Sequence, residues 1–437
     1  MKTGFAKVDI TPPIGIELTG YAVRQGVIES INDPLFAKAI VFDDDKQRAA
    51  LIVCDLLGLD ADFVQTCRRR IENDTGIPGS NIMIACTHTH SGPATIELVE
   101  CGEINAPYMS ELQTKICDSA VHAWQKREPS RIGIGRGEAQ IGIDRRAGLV
   151  SDECEEPANC IDSELLALKF VNKHQALTGV VANYGCHGTS IDPLLMAVSA
   201  DFMGIGMSQV ERAFEDEIVA IFTSGGGGDV NPHPRCDGYQ NALIHGKQLS
   251  EQVLKILKSV DCAGVDTLFV DSILLELSFN HLPTTDEIDA EIHRVEATIA
   301  SFASNGKSTA APKSRYDMRV WLHRVKHQIA CNLLPRKLAI EIQVICFGGI
   351  ACVGLPFEVF SSTAHQIKRA SPFPNTIVIS QANGNYGYLP PEAAIRNGGY
   401  EVDTAYKYYG YPSGFSTQSE DLVRQTAIKL LNKLRQQ

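Results

Sequence analysis

Short, nearly unbroken apolar runs alternate along this chain with longer stretches whose apolar residues recur every three or four positions. The first pattern predicts buried strands and the second predicts amphipathic helices. Residues 37–42 and 49–54 are two such runs around Asp43-Asp44-Asp45-Lys46, which reads as a hairpin. Residues 60–74 read as a helix with Asp60 as N-cap, closed by Gly76 and Pro78. A strand over 82–86 follows, then a helix over 107–126 in which Leu112, Ile116, Ala120 and Trp124 stand four apart. Strands over 131–143, 164–171 and 179–184, a helix over 201–215 and a strand over 218–222 continue the alternation. A helix over 240–258 and a strand over 265–279 lead into a charged, helical stretch at about 284–335. Its interruption at Ser304-Asn305-Gly306-Lys307-Ser308 predicts a helical hairpin inserted beside the sheet. Strands over 337–346, 350–354 and 376–380 and an amphipathic helix over 417–436 close the chain. The whole predicts an α/β protein, a single large domain over 1–437 with one mixed β-sheet flanked by helices.

Polar chemistry gathers where the apolar runs stop. The strand over 82–86 delivers His88 and His90 before breaking at Ser91-Gly92-Pro93. If the chain is still extended there, both imidazoles point to one side, as two ligands of a divalent metal such as zinc would. Taken alone, such a pair is more often a polar strand edge. The strand over 179–184 runs into Gly185-Cys186-His187-Gly188, and the strand over 218–222 into Gly225-Gly226-Gly227-Gly228-Asp229-Val230-Asn231-Pro232-His233. The glycine run lacks the Gly-Lys-Ser/Thr ending of a phosphate loop, so it reads as backbone passing close to a ligand or another strand. Glu358 sits at a strand-to-helix junction in Pro356-Phe357-Glu358. Sites in open α/β sheets gather beyond the strand ends. Two histidines, one carboxylate and an open position make a catalytic zinc set. His323 and His327 are also four apart, but with no His-Glu-x-x-His arrangement they read as a solvated helix face, and His122 as a surface or core-edge residue.

Composition narrows the rest. A net charge of -12 excludes phosphate-backbone binding as the main task, so no nucleic-acid partner is expected. No run of about 18 apolar residues occurs, so no transmembrane helix is expected. The first ten residues hold no apolar signal segment, which makes the cytoplasm the expected compartment. The 13 cysteines lack paired close spacings and several lie within apolar runs, so buried free thiols are expected in place of a disulfide framework. Nothing in the sequence fixes an oligomeric state.

Taken together, the segments resemble the catalytic domain of the neutral/alkaline non-lysosomal ceramidase family, zinc enzymes that hydrolyse the amide of N-acyl sphingosines. Thr87-His88-Thr89-His90-Ser91-Gly92-Pro93 carries the strongest likeness. His187-Gly188-Thr189-Ser190, Ser199-Ala200-Asp201, Gly228-Asp229-Val230-Asn231-Pro232, Pro356-Phe357-Glu358, and Tyr388 with Tyr400-Glu401 follow in the family's order, up to about residue 401. The resemblance implies one Zn2+ per chain, held by His88, His187 and Glu358 and reached by the Tyr388 hydroxyl. It implies that His90 lies close to the reacting carbonyl and that Arg145, with Arg146 as the neighbouring register, is an active-site arginine. It implies that Tyr400 helps hold the substrate carbonyl. Asp229 is expected to be structural, fixing the glycine turn through backbone hydrogen bonds.

Four departures bear on the substrate. Asn231 stands where the family carries an active-site serine, and it cannot serve as a nucleophilic hydroxyl; His233 is one residue that could compensate. Leu389-Pro390-Pro391 follows Tyr388 where the family usually has hydroxyl-bearing residues. The 437 residues leave no room for the C-terminal β-sandwich module of the larger members, and many members are exported. The expected function is zinc-dependent hydrolysis of an N-acylated, small or lipid-like substrate. The alternatives are a zinc hydrolase of a different small amide or ester, and a silent metal-binding homologue.

Overall fold

The structure, a computed structural model, describes residues 1–147, 161–234, 238–304 and 312–436. The predicted hairpin is present. Phe36–Asp43 pairs antiparallel with Arg48–Cys54, with Ala37 opposite Cys54 and Asp43 opposite Arg48. Successive side chains leave a strand on opposite faces. Ala37, Ala39 and Val41 pack beneath the helices Ala61–Thr75 and Ala106–Gln125, whereas Ile40 and Phe42 meet a second sheet. Burial on both faces is why these strands read as continuous apolar runs.

Among the described residues the large sheet is nine-stranded and mixed. Its main path runs Val219–Ser224, Leu177–Tyr184, Glu164–Asn172, Glu128–Glu138, Lys2–Asp9, Phe36–Asp43, Arg48–Cys54, Ile82–Cys86. The pairs at both ends are parallel and those between are antiparallel. Helices Asp201–Arg212 and Gln240–Lys258 cover the Leu177–Tyr184 end, on the face that the first two helices cover further along. The expected mixed sheet flanked by helices is thus present. Four further strands, Leu268–Ser278, Lys337–Phe347, Ile350–Gly354 and Asn375–Ile379, form a separate sheet packed on its other face. Helices Ser361–Ala370 and Ser419–Arg435 cover the outside of that second sheet. A strand between two sheets carries the same apolar pattern as one between sheet and helix, so the sequence does not separate the two layers.

The large sheet curls until its terminal strands, Val219–Ser224 and Ile82–Cys86, come close together. The segment after Asn375–Ile379 holds both edges. Ser380 N donates to Ser224 O (2.8 Å) and Asn383 N to Ile84 O (2.7 Å). The ends of strands that are distant in sequence are thereby brought to one place.

Helices Thr285–Ser304 and Lys313–Ala330 form the expected hairpin around Ile288, Ile292, Trp321, Leu322 and Val325. Its predicted interruption lies, from residue 305 on, outside the described residues. His122, His323 and His327 are exposed, as the pattern implied. Gly76 ends the helix Ala61–Thr75 in a left-handed conformation (φ 70°), although Asp60 caps it without a side-chain hydrogen bond. Cys54, Cys67, Cys86, Cys101, Cys117, Cys186, Cys346 and Cys352 are buried free thiols. Among the described residues no helix is long and apolar enough to cross a membrane.

One buried ion cluster ties the two halves of the large sheet. Glu211 Oε1 accepts from Lys38 Nζ (3.1 Å) and from Ala220 N (2.9 Å), and its Oε2 accepts from Lys7 Nζ (2.6 Å). Removing one partner of a buried pair strands the other charge. Glu211→Ala is expected to cost about 3–5 kcal/mol of stability at pH 7, read by urea unfolding. A loss below about 1 kcal/mol would show that the cluster is not holding the sheet.

Candidate metal centre

The strand Ile82–Cys86 ends just before Thr87. The chain is not extended beyond it, because His88 adopts a positive φ of 65°. The period-two argument therefore does not place its two histidines. Bonds to two other segments do so instead: His88 N donates to Leu56 O (2.9 Å) and His90 N to Gly188 O (3.1 Å). The two rings lie 4.8 Å apart and nearly perpendicular.

His187 arrives from the other end of the large sheet, after Leu177–Tyr184, with its N–H on Val230 O (3.0 Å). The glycine run passes directly beneath Glu358. A Cβ at Gly228 would stand 2.6 Å from Glu358 O, so glycine there is a demand of close approach. Glu358–Val359 pairs in parallel with Tyr388–Leu389, and Glu358 is in register with Tyr388. Asp229 is structural, though its side-chain partner is the next helix. Its carboxylate accepts from Ser361 N (2.7 Å) and Ser361 Oγ (2.8 Å), anchoring the start of Ser361–Ala370 immediately after Glu358. Burial pushes the Asp229 carboxyl up to about 6.

These five groups meet. Glu358 Oε2 is 3.2 Å from His88 Nε2 and 3.0 Å from His187 Nε2. His90 Nε2 is 3.3 Å from His88 Nε2, and the Tyr388 hydroxyl is 3.1 Å from His187 Nε2. Each imidazole has its other nitrogen on a backbone carbonyl: His88 Nδ1 on Leu57 O (2.8 Å), His90 Nδ1 on Gly20 O (2.7 Å), His187 Nδ1 on Gly227 O (2.6 Å). A carbonyl only accepts, so Nδ1 carries the proton in each and Nε2 presents a lone pair. This carbonyl-anchored imidazole is the arrangement found around bound metals. A tetrahedron with bonds of about 2.0–2.2 Å has edges of about 3.3–3.6 Å, close to the separations here. The donor set therefore fits a divalent cation. His88, His90 and His187 can hold one together, and His90, expected beside the metal, stands within that group.

Arg145 and Asn231 come in on a small two-stranded ribbon in which Asn231 in Val230–Pro232 is opposite Ile143 in Gly142–Asp144. Arg145 Nη1 is 3.5 Å from both His187 Nε2 and Asn231 Oδ1, and its guanidinium carbon lies 5.2 Å from the Tyr388 ring centre. Tyr400 packs edge-on to Tyr388 at 5.9 Å and is 49% exposed, so it faces solvent at the rim. Two partners escaped the sequence reading. Glu401 accepts from Arg145 Nε (2.7 Å) and pairs with Arg146 Nη1, so one carboxylate fixes both arginines and gives the adjacent Arg146 a structural partner. Tyr409 donates to Glu358 Oε1 at 2.7 Å. Nothing in its spacing distinguishes it from the neighbouring tyrosines.

Residues 1–252 match the family model described as neutral/alkaline non-lysosomal ceramidase, N-terminal. The neutral ceramidase of Drosophila melanogaster is 26% identical over 261 residues, covering 54% of this chain and 37% of that protein. The neutral ceramidase of Pseudomonas aeruginosa is 24% identical over 282 residues, covering 60% of this chain and 42% of that protein. The chain thus spans less than half the length of these relatives. The crystal structure of the Pseudomonas aeruginosa enzyme shares the fold, with a TM-score of 0.75 at 17% identity over 100% of this chain and 74% of that one. Glu358, Tyr388 and Tyr400 lie beyond the residues matched by the family model.

The electrostatics of the centre are testable without metal. Burial, then the Arg145 charge, push His187 down from 6.5 to about 4. Burial, with His88 and His187 beside it, also pushes His90 well down. A histidine lowered in the folded state stays neutral where the unfolded chain takes up a proton. Its share of stability therefore declines as pH falls from about 6.5 to about 4. In the metal-free protein the His187 ring nitrogens are expected to report the neutral form at pH 5.5 by NMR. Protonation near 6.5 would contradict the geometry.

Proposed function

The chain belongs to the neutral/alkaline non-lysosomal ceramidase family, and from that premise we propose that it is a zinc-dependent hydrolase cleaving the amide of an N-acylated, lipid-like substrate, ceramide being the first candidate. The observation that carries this reading is the convergence of His88 and His187 on the Glu358 carboxylate with His90 against His88, all three imidazoles being carbonyl-anchored. His88, His187 and Glu358 would hold the zinc, with the Tyr388 hydroxyl at its side. When bound, zinc supplies Lewis acidity, polarising a carbonyl and lowering the pKa of a water towards neutrality.

The chain's own groups supply the rest. Arg145, fixed by Glu401, is a positioned cation beside the centre and stabilises negative charge developing on the carbonyl oxygen. Tyr400, at the rim, donates to the same oxygen. His90 is neutral with a free Nε2, so it accepts a proton from the attacking water and returns it to the leaving amine. Asn231 accepts from Arg145 at 3.5 Å and orients the substrate amide as donor and acceptor. Asn231 also supports a second reading. A site without the family's hydroxyl at this position suits a different amide or an ester.

The chain is expected to bind one zinc. Glu358→Ala and His88→Ala are expected to lose it, together with on the order of 1000-fold in turnover, with the circular-dichroism spectrum unchanged. His90→Ala is expected to keep zinc affinity within a few-fold and to lose about 100-fold or more in kcat; loss of the metal instead would move His90 into the ligand set. Substrate class is read from a panel of N-acyl sphingosines of varied chain length, N-acyl amino acids and simple esters. Failure to cleave any ceramide, with another amide or an ester hydrolysed, would sink the ceramide assignment and leave the hydrolase.

A further inference from the structure

We propose that Tyr409 is a positioning residue of the metal centre, fixing Glu358 as a one-oxygen ligand; this rests on the zinc reading above. Glu358 is buried to 3% exposure, and a buried carboxylate needs a partner for each oxygen. Oε2 faces His88 and His187, at 3.2 and 3.0 Å. Oε1 accepts the Tyr409 hydroxyl at 2.7 Å. With that bond in place the carboxylate cannot turn to offer both oxygens to a metal without giving it up. Oε2 remains the single ligand atom, aimed at the point where the imidazole lone pairs converge.

The backbone holds Tyr409 in this position. Its ring lies against Gly387, where a Cβ would stand 2.8 Å from Tyr409 Cε2 and where φ is 80°. Gly387 is thus required both by the close approach of the ring and by its own left-handed conformation. The carbonyl of the same glycine accepts Glu358 N at 2.9 Å. One residue therefore sets the spacing between the tyrosine ring and the Glu358 backbone. Tyr386 donates to Ala339 O (3.1 Å), and Tyr411 stacks on Tyr409 with ring centres 5.9 Å apart. Tyr409 is fed in by the segment whose Tyr408 carbonyl accepts Val99 N at 2.7 Å, so a part of the chain outside the strand ends completes the centre.

Tyr409→Phe keeps the ring and removes one oxygen. Zinc affinity, measured with zinc alone against a chromogenic chelator, is expected to fall about 10- to 100-fold. The metal-free melting temperature and near-ultraviolet circular dichroism are expected to stay near those of the unmodified chain. Tyr411→Phe is expected to leave affinity unchanged. Affinity of Tyr409→Phe within twofold of the unmodified chain overturns the proposal. So does an equal loss in Tyr411→Phe, or failure of Tyr409→Phe to fold, since a residue that only orients Glu358 is dispensable for folding. An unmodified chain that binds no zinc overturns the centre itself, and this inference with it.

Discussion

Three backbone carbonyls control this site. Leu57, Gly227 and Gly20 each accept the Nδ1–H of one histidine, which turns the bare Nε2 of His88 and of His187 to one buried carboxylate and that of His90 to His88 Nε2. Without those anchors the rings would be free to flip or to pair with Glu358 as ordinary hydrogen-bond donors. With them, lone pairs and a negative charge are crowded together in a buried place, an arrangement that positive charge among them would stabilise. Arg145 supplies part of that positive charge from one side, and it is itself held by Glu401.

The carbonyls are where they are because of how the large sheet curls. His88 follows one terminal strand and the glycine run follows the other. The segment around Ser380 and Asn383 bonds to both and then continues into Tyr388. Glu358 follows Ile350–Gly354, a strand of the second sheet, and close approach of Gly228 beneath it is possible only without a side chain. Asp229, the next residue, anchors the helix that begins just after Glu358. Packing and chemistry here share residues. The same loop that delivers a carbonyl to His187 also sets the height of the carboxylate.

Membership of the ceramidase family and the intact donor set bear on the reaction type, whereas the surroundings bear on the substrate. Asn231, beside Arg145 at the centre, concerns what the metal would act on. The donor set itself does not depend on it.

Much of this protein is written in local pattern. Most strand and helix positions followed from period two, period 3.6 and turn residues, but no such pattern marked Lys2–Asp9, a central strand of the large sheet. His88, His187 and Glu358 were each recognisable as a polar group placed where an apolar run stops. The number of sheets was not legible, because an apolar strand does not record whether its other face meets a helix or a sheet. The convergence of His88 and His90 was anticipated for the wrong reason: alternation along an extended strand gave way to a positive φ at His88 and a bond from His90 to Gly188. Glu401 and Tyr409 as partners of Arg145 and Glu358 were not legible either. Their roles are pairings across more than 250 and about 50 residues respectively, and no local periodicity encodes them. The sequence by itself determined which groups could do chemistry and on which elements they stand. Only the tertiary structure decided which of their atoms meet, because that depends on curl, close approach and carbonyl direction, all of which are properties of packed backbone.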